Sequence, residues 1–428
     1  MKRVILLGLL ITTTLFSWSQ RLEYIINAGE VERIERVLAA DEMRGRKVNS
    51  PEIEKAADFI ESEFKTIGLR TLDANDKYRQ TYTVVRARAL SSSATWNGAT
   101  LDPKNLMVIS SQPEVKLDKS SAYQIETIQA GGNLLRQASQ MIHPKKNTLV
   151  LVDESYIAEF PRLAFFKRSL SRADKNLVFV LTNKKPENYS IEATHEIIEQ
   201  QLSNVVGVLP GKSKKSEIVI FSAHYDHIGV GKAVEGDSIY NGANDDAAGV
   251  TAMILLARYF RDMKINERTL LFVAFTAEES DGSGSQYFSK QLDANKVAAM
   301  VNIEMIGTES KWGKNSAYIT GYDKSDLGSI LQKNLQGTPF TFHPDPYPDQ
   351  QLFYRSDNAT LARLGVPAHT VSTSKMDVEP NYHKVSDEVE TLDMENMTMI
   401  IRALALSAKG LVLGTDTPTR VKVEELRN

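Results

Sequence analysis

From Asn204 onward the chain repeats one pattern: a short, almost uninterrupted apolar run, polar residues at its end, then a helical stretch. The runs are 205–209, 218–223, 270–276, 300–303 and 366–371, and the best helical stretches are 247–260 and 394–411. A half-solvated strand alternates apolar and polar residues; these runs do not, so both their faces are covered. Strands of that kind separated by helices predict an α/β fold, a mostly parallel sheet sandwiched by helices. Such a sheet binds its ligands at the carboxyl ends of the strands, where the connecting loops converge. The residues just beyond each run are therefore the ones to read for chemistry.

The rest of the chain is organised around that sheet. Residues 22–39 have helical spacing. A clearer helix starts at Ser50 and Pro51, carries Ile53, Ala56, Ile60 and Phe64 on one face, and stops at Gly68. Between about Tyr82 and Ser203 the texture shifts to Ser- and Asn-rich sequence, with strand-like runs at 148–152 and 177–181 and a helix-like stretch at 158–170. That succession predicts a smaller α/β or β-rich accessory domain inserted into the first. The expected division is a signal peptide at 1–19, one domain from 20–82 and 203–414, the insertion at 83–202, and a loose tail at 415–428.

Lys2 and Arg3, the apolar stretch that follows, and small residues Ser17 and Ser19 make the leader. Thr12, Thr13 and Thr14 interrupt it, it is short for a membrane span, and no later stretch is expected to cross a bilayer. A secreted or periplasmic protein with no membrane anchor after leader removal is expected. The chain has no cysteine, which excludes disulfides, thiolate metal sites and a lipid-modified cysteine. Its 51 basic and 54 acidic residues give a net charge of −3, with no electrostatic reason to expect nucleic acid as partner. Any metal must be held by carboxylates and some of the 7 histidines.

Five segments place such residues together. The run 218–223 is followed by His224-Tyr225-Asp226-His227, which suits a ligand with an orienting neighbour, or a turn that two histidines merely cap. Asn244-Asp245-Asp246 leads into an apolar helix between small residues; capping would need only one acid. Glu278 and Glu279 emerge from a strand read as buried, where unpaired charge is costly. Glu304 interrupts another strand end, and Tyr382-His383 precedes Ser386-Asp387 in a turn-rich stretch. Two histidines and three carboxylates, with spare acids, make an oxygen- and nitrogen-rich site for two divalent ions. Zinc suits it best, with manganese or cobalt as substitutes. The chemistry expected of such a site is hydrolysis by a metal-activated water with a carboxylate as general base.

Taken in this order, the HYDH, NDD, EE and YHxxSD motifs resemble the M28 metallopeptidases, co-catalytic zinc aminopeptidases and their relatives. The resemblance runs from Asn204 to Asp387 and takes in the Asp41–Gly68 region; the insertion resembles, more vaguely, a protease-associated domain. It implies a zinc exopeptidase-like fold, two Zn2+ ions and a peptide substrate. By residue it implies that His224 and Glu304 bind one zinc, Glu279 and His383 the other, and Asp245 bridges both. Asp226 would orient His224, and Glu278 would be the general base. Glu304 departs from the family's usual aspartate, and Asn358 stands where relatives often have histidine. Tyr354, Arg355 and Asp357 beside it are candidate specificity residues, or parts of an ordinary capped loop. The expected activity is that of a secreted aminopeptidase, with carboxypeptidase direction open. The alternatives are a single-zinc acyltransferase resembling glutaminyl cyclases and a non-catalytic binding relative.

Overall fold

The computed structural model describes residues 20–72, 77–142, 144–167, 170 and 175–426. The leader at 1–19 lies outside them. The described residues form two compact units, one from 20–81 with 203–426 and the other from 82–202.

The first unit is built on strands β1 (Tyr189–Leu209, its carboxyl end in this unit), β2 (Lys214–His224), β3 (Arg268–Phe275), β4 (Val297–Ile303), β5 (Ser316–Ile319), β6 (Thr341–Pro344) and β7 (Ala368–Ser372). They lie in the order β6-β5-β7-β4-β2-β3-β1. The pairs β3/β2, β2/β4, β4/β7 and β5/β6 are parallel, whereas β1 and β5 run antiparallel to β3 and β7. This is the mostly parallel, helix-covered α/β sheet expected.

The strands are apolar throughout because both faces are packed. Val219, Phe221 and Ala223 of β2 join Leu270, Phe272 and Ala274 of β3 in one core. The alternate residues Ile220, Leu271, Val273 and Phe275 belong to the core on the opposite face. Helices α1 (Ala28–Leu38), α2 (Pro51–Ile67) and α3 (Ala248–Met263) supply Ile34, Ile60 and Leu255 to the first core. On the other face α4 (Ser283–Gln291) contributes Phe288 and α5 (Asn358–Ala362) contributes Leu361. The α2 boundaries follow local chemistry: the Ser50 side chain accepts from the Ile53 amide, and Gly68 closes the helix at φ 78°.

Three expectations need correction. The stretch from Thr415 is not loose: Arg268 donates to the Asp416 carbonyl and Thr417 hydroxyl, and Val421 is buried. The 394–411 helix divides into α6 (Met394–Ser407) and a short helix, Lys409–Leu413. By length and composition Met394–Leu413 could cross a bilayer, but 72% of its apolar window is buried in the protein. Third, the 158–170 stretch forms a 3-10 helix, Phe160–Lys167, rather than an α-helix, with Pro161 near its start.

The second unit has its own four-stranded sheet, Leu106–Ile109, Leu177–Leu181, Thr148–Val152 and Gln124–Ile128 in that order. The first pair is antiparallel and the others parallel. Val150 and Phe179 pack on one face, and Leu151 and Val180 on the other.

Candidate active site

Three neighbouring parallel strands deliver side chains to one edge. His224 is the last residue of β2 and is paired in register with Phe275 at the end of β3; Glu278 and Glu279 follow β3 after Thr276 and Ala277. Glu304 is the first residue after β4. Asp245 lies in the turn that feeds α3, and His383 in the loop between β7 and α6. Residues Ala277, Met305 and His383 have φ of 64°, 53° and 56°, an unusual left-handed setting for non-glycine residues that recurs at functional sites.

The side chains converge on Asp245. His224 Nε2 is 3.2 Å from Asp245 Oδ1, and His383 Nε2 is 3.3 Å from Asp245 Oδ2. His383 Nε2 is also 3.0 Å from Glu279 Oε2. One donor group is His224, Asp245 and Glu304, the other His227, Asp245 and Glu279; in each, the donor atoms lie within 4.8 Å of one another. His224 Nε2, His383 Nε2, Glu279 Oε1, Glu304 Oε2 and both ring nitrogens of His227 are buried without a hydrogen bond. Buried polar atoms rarely go unsatisfied. Lone pairs converging without hydrogen-bond geometry are what divalent cations require, and the imidazole and carboxylate donors suit zinc-like ions.

A scaffold of backbone contacts fixes these donors. Asp246 accepts from the amides of His224, Gly249 and Met305, tying three site segments to one carboxylate. The second acid of the pair is thus a brace, while Asp245 faces the donors. Gly249 is required here, since a Cβ would lie 2.3 Å from the Ile303 carbonyl oxygen and 2.4 Å from Asp246 Oδ2. Asp387 accepts from the Asn244 and Asp245 amides at 2.8 and 3.0 Å. The buried Arg46 donates to the carbonyls of Tyr225, Asn241 and Gly242, joining the two loops that carry His224 and Asp245.

The charges are crowded. Desolvation, reinforced by neighbouring acids including Glu304 and Asp357, pushes the Glu278 carboxyl well above its ordinary range. Burial likewise lifts Asp226 and Glu304 to about 7. Burial would also raise Asp245, but the adjacent imidazoles of His224 and His383 hold it well below the usual value. For His383, burial is outweighed by Asp245 and Glu279, which draw it up to about 10. Carboxylates this close cannot all ionise without cations among them.

Of the expected donors, His224, Asp245, Glu279, Glu304 and His383 are brought together, and Glu278 stands beside them, lining the same cleft. The extra methylene of Glu304 does not take its carboxylate out of reach. Asp226 differs from expectation. It is the Asp226 backbone oxygen that lies 3.0 Å from His224 Nδ1; the carboxylate is 3.9 Å away and accepts the Glu278 and Glu279 amides. His227 was not counted among the ligands, yet its Nδ1 lies 2.8 Å from Glu279 Oε1. Asn358 is structural: it donates to the Phe353 and Ala368 carbonyls and accepts from Thr370. Asp357 is buried, so only Arg355 of the three candidate specificity residues lines the cleft beside the donors.

Fold and donors together define an α/β protein with a candidate two-ion pocket at the carboxyl edge of its sheet. Residues 204–408, a little under half of the chain, match the model of peptidase family M28. A probable leucine aminopeptidase of Trichophyton verrucosum (strain HKI 0517) is 29% identical over 204 residues, 45% of this chain and 53% of the relative. A probable zinc metalloprotease of Pyrenophora teres f. teres (strain 0-1) is 32% identical over 152 residues, 34% of this chain and 29% of the relative. The matches thus span about half, or less, of those curated relatives. The solved structure of an aminopeptidase from Aneurinibacillus sp. strain AM-1 shares the fold. Its TM-score is 0.53 at 18% identity, covering 95% of this chain and 98% of that one.

Proposed function

We propose that this protein is an exported zinc-dependent metallopeptidase, an aminopeptidase acting on peptides with a free amino terminus. The observation that carries the proposal is the pair of donor groups sharing Asp245, with Glu278 beside both and a member of neither. His224, Asp245 and Glu304 would hold one zinc, and Asp245, Glu279 and His383 the other, with His227 as a further donor to the second. Zinc bound there supplies Lewis-acid polarisation of the scissile carbonyl and lowers the pKa of water toward neutrality. Glu278 accepts the proton of the attacking water at its carboxylate and returns it to the leaving amine. Asp226 fixes the backbone of Glu278 and Glu279 so that the base and the neighbouring donor keep one spacing. A second subsite with its own histidines and acids favours two ions over a single-zinc acyltransferase.

Export rests on the leader-like 1–19 segment. The 82–202 unit is taken to be an accessory domain inserted into the peptidase. The deciding experiment is a screen of aminoacyl and amino-blocked peptides with the purified protein, with and without chelator. Cleavage restricted to free amino termini and abolished by chelator is expected; chelator-resistant cleavage or cleavage of blocked peptides would reject the proposal.

A further inference from the structure

The cleft beside the donors carries four acids, Asp245, Glu278, Glu279 and Glu304, and one basic side chain, Arg355. Two divalent ions would balance the acids and leave the guanidinium as surplus positive charge on the lining. Arg355 follows the short turn Leu352–Tyr354, and its side chain is exposed. One terminal nitrogen reaches Gln350 Oε1 at 3.3 Å and the other the Tyr382 hydroxyl at 3.4 Å. Both acceptors are neutral and both contacts long, and among the described residues no carboxylate forms an ion pair with Arg355. A guanidinium offers five N–H donors in a planar fork matched to a carboxylate, so most of its capacity is unspent. Tyr382, which holds it, stacks on His383 with ring centroids 3.9 Å apart. The cation therefore stands one aromatic ring away from a donor of the second subsite.

We propose that Arg355 receives a carboxylate of the bound peptide, so that substrates bearing an acidic group next to the scissile bond are preferred. The group is either the side chain of an acidic first residue or the free carboxyl end of a dipeptide; both present the same planar anion to the guanidinium. This rests on the aminopeptidase proposal and narrows its substrate class.

The test compares matched pairs on the zinc-loaded protein: Leu-Gly against Leu-Gly amide, and glutamyl against glutaminyl p-nitroanilide. The expected result is a preference of about tenfold or more in kcat/KM for the acidic member of one pair, the size of a hydrogen-bonded charge contact. The pair that shows it identifies the source of the carboxylate. Arg355→Gln should collapse that ratio mainly through KM, and Arg355→Lys should keep part of it. Equal handling of acidic and neutral members, or a ratio indifferent to Arg355→Gln, overturns the proposal. If neither pair is cleaved, the peptidase proposal has failed instead. Isothermal titration of zinc-loaded Glu278→Gln protein with the same four compounds then still reads the carboxylate preference, and equal affinities within both pairs reject it.

Discussion

His227 Nδ1 stands 2.8 Å from Glu279 Oε1, yet the two atoms make no hydrogen bond. The same holds for the nearby His383 Nε2, one of the expected ligands. Gly242 leaves room for the His227 ring, because a Cβ there would come within 2.5 Å of it. His227→Ala should therefore weaken zinc binding to the metal-free protein by about 10- to 100-fold, as loss of a metal-supporting contact does. Calorimetric titration with zinc checks it, and wild-type affinity would remove His227 from the metal site.

Glu278 lines the cleft outside both donor groups. Glu278→Gln should keep the wild-type zinc content while turnover falls about 10²- to 10⁴-fold, the usual worth of a general base. Elemental analysis beside steady-state kinetics separates the two effects. A variant that loses zinc would make Glu278 a ligand.

Asp387 holds the amides of Asn244 and Asp245, both buried. Asp387→Ala orphans two donors, each costing about 1–3 kcal/mol. Urea unfolding should show that loss together with reduced zinc content, whereas Asp387→Asn keeps one acceptor and should lose less. Unchanged unfolding midpoints would mean that water replaces the carboxylate.

Glu35 is fully buried on α1, and burial pushes its carboxyl up to about 8 against the pull of Arg46. The folded protein then keeps a proton that the unfolded chain releases near 4.5. The associated stability is complete below that value and is lost as pH rises toward 8. Relative to Glu35→Gln, wild type should lose stability between those two values, read as urea midpoints at intervals across the window. Parallel profiles for the two proteins would contradict this.

Much of this was legible because the signals are local. Each of His224, Glu278 and Glu304 follows an apolar strand in sequence, so burial and chemistry could be read from a few adjacent residues. His227 could not, because what makes it a donor is Glu279, brought alongside by the pairing of β2 with β3, and Gly242 behind the ring. A histidine in an HxDH run reads equally well as a turn residue. Strands β5 and β6, four residues each, are too short for periodicity to declare them. The tail escaped notice because its partners, Arg268 and Asp326, lie far back in the chain.

The bond between Asp387 and the Asp245 amide joins residues 142 positions apart. During synthesis, four of the expected ligands leave the ribosome well before His383 and Asp387. A nascent or prematurely terminated chain ending before residue 382 thus lacks both one of the proposed ligands and the brace that holds the Asp245 amide. Under the proposed function, completion of the polypeptide acts as its own safety catch: the hydrolase would have no competent centre while unfinished protein surrounds it.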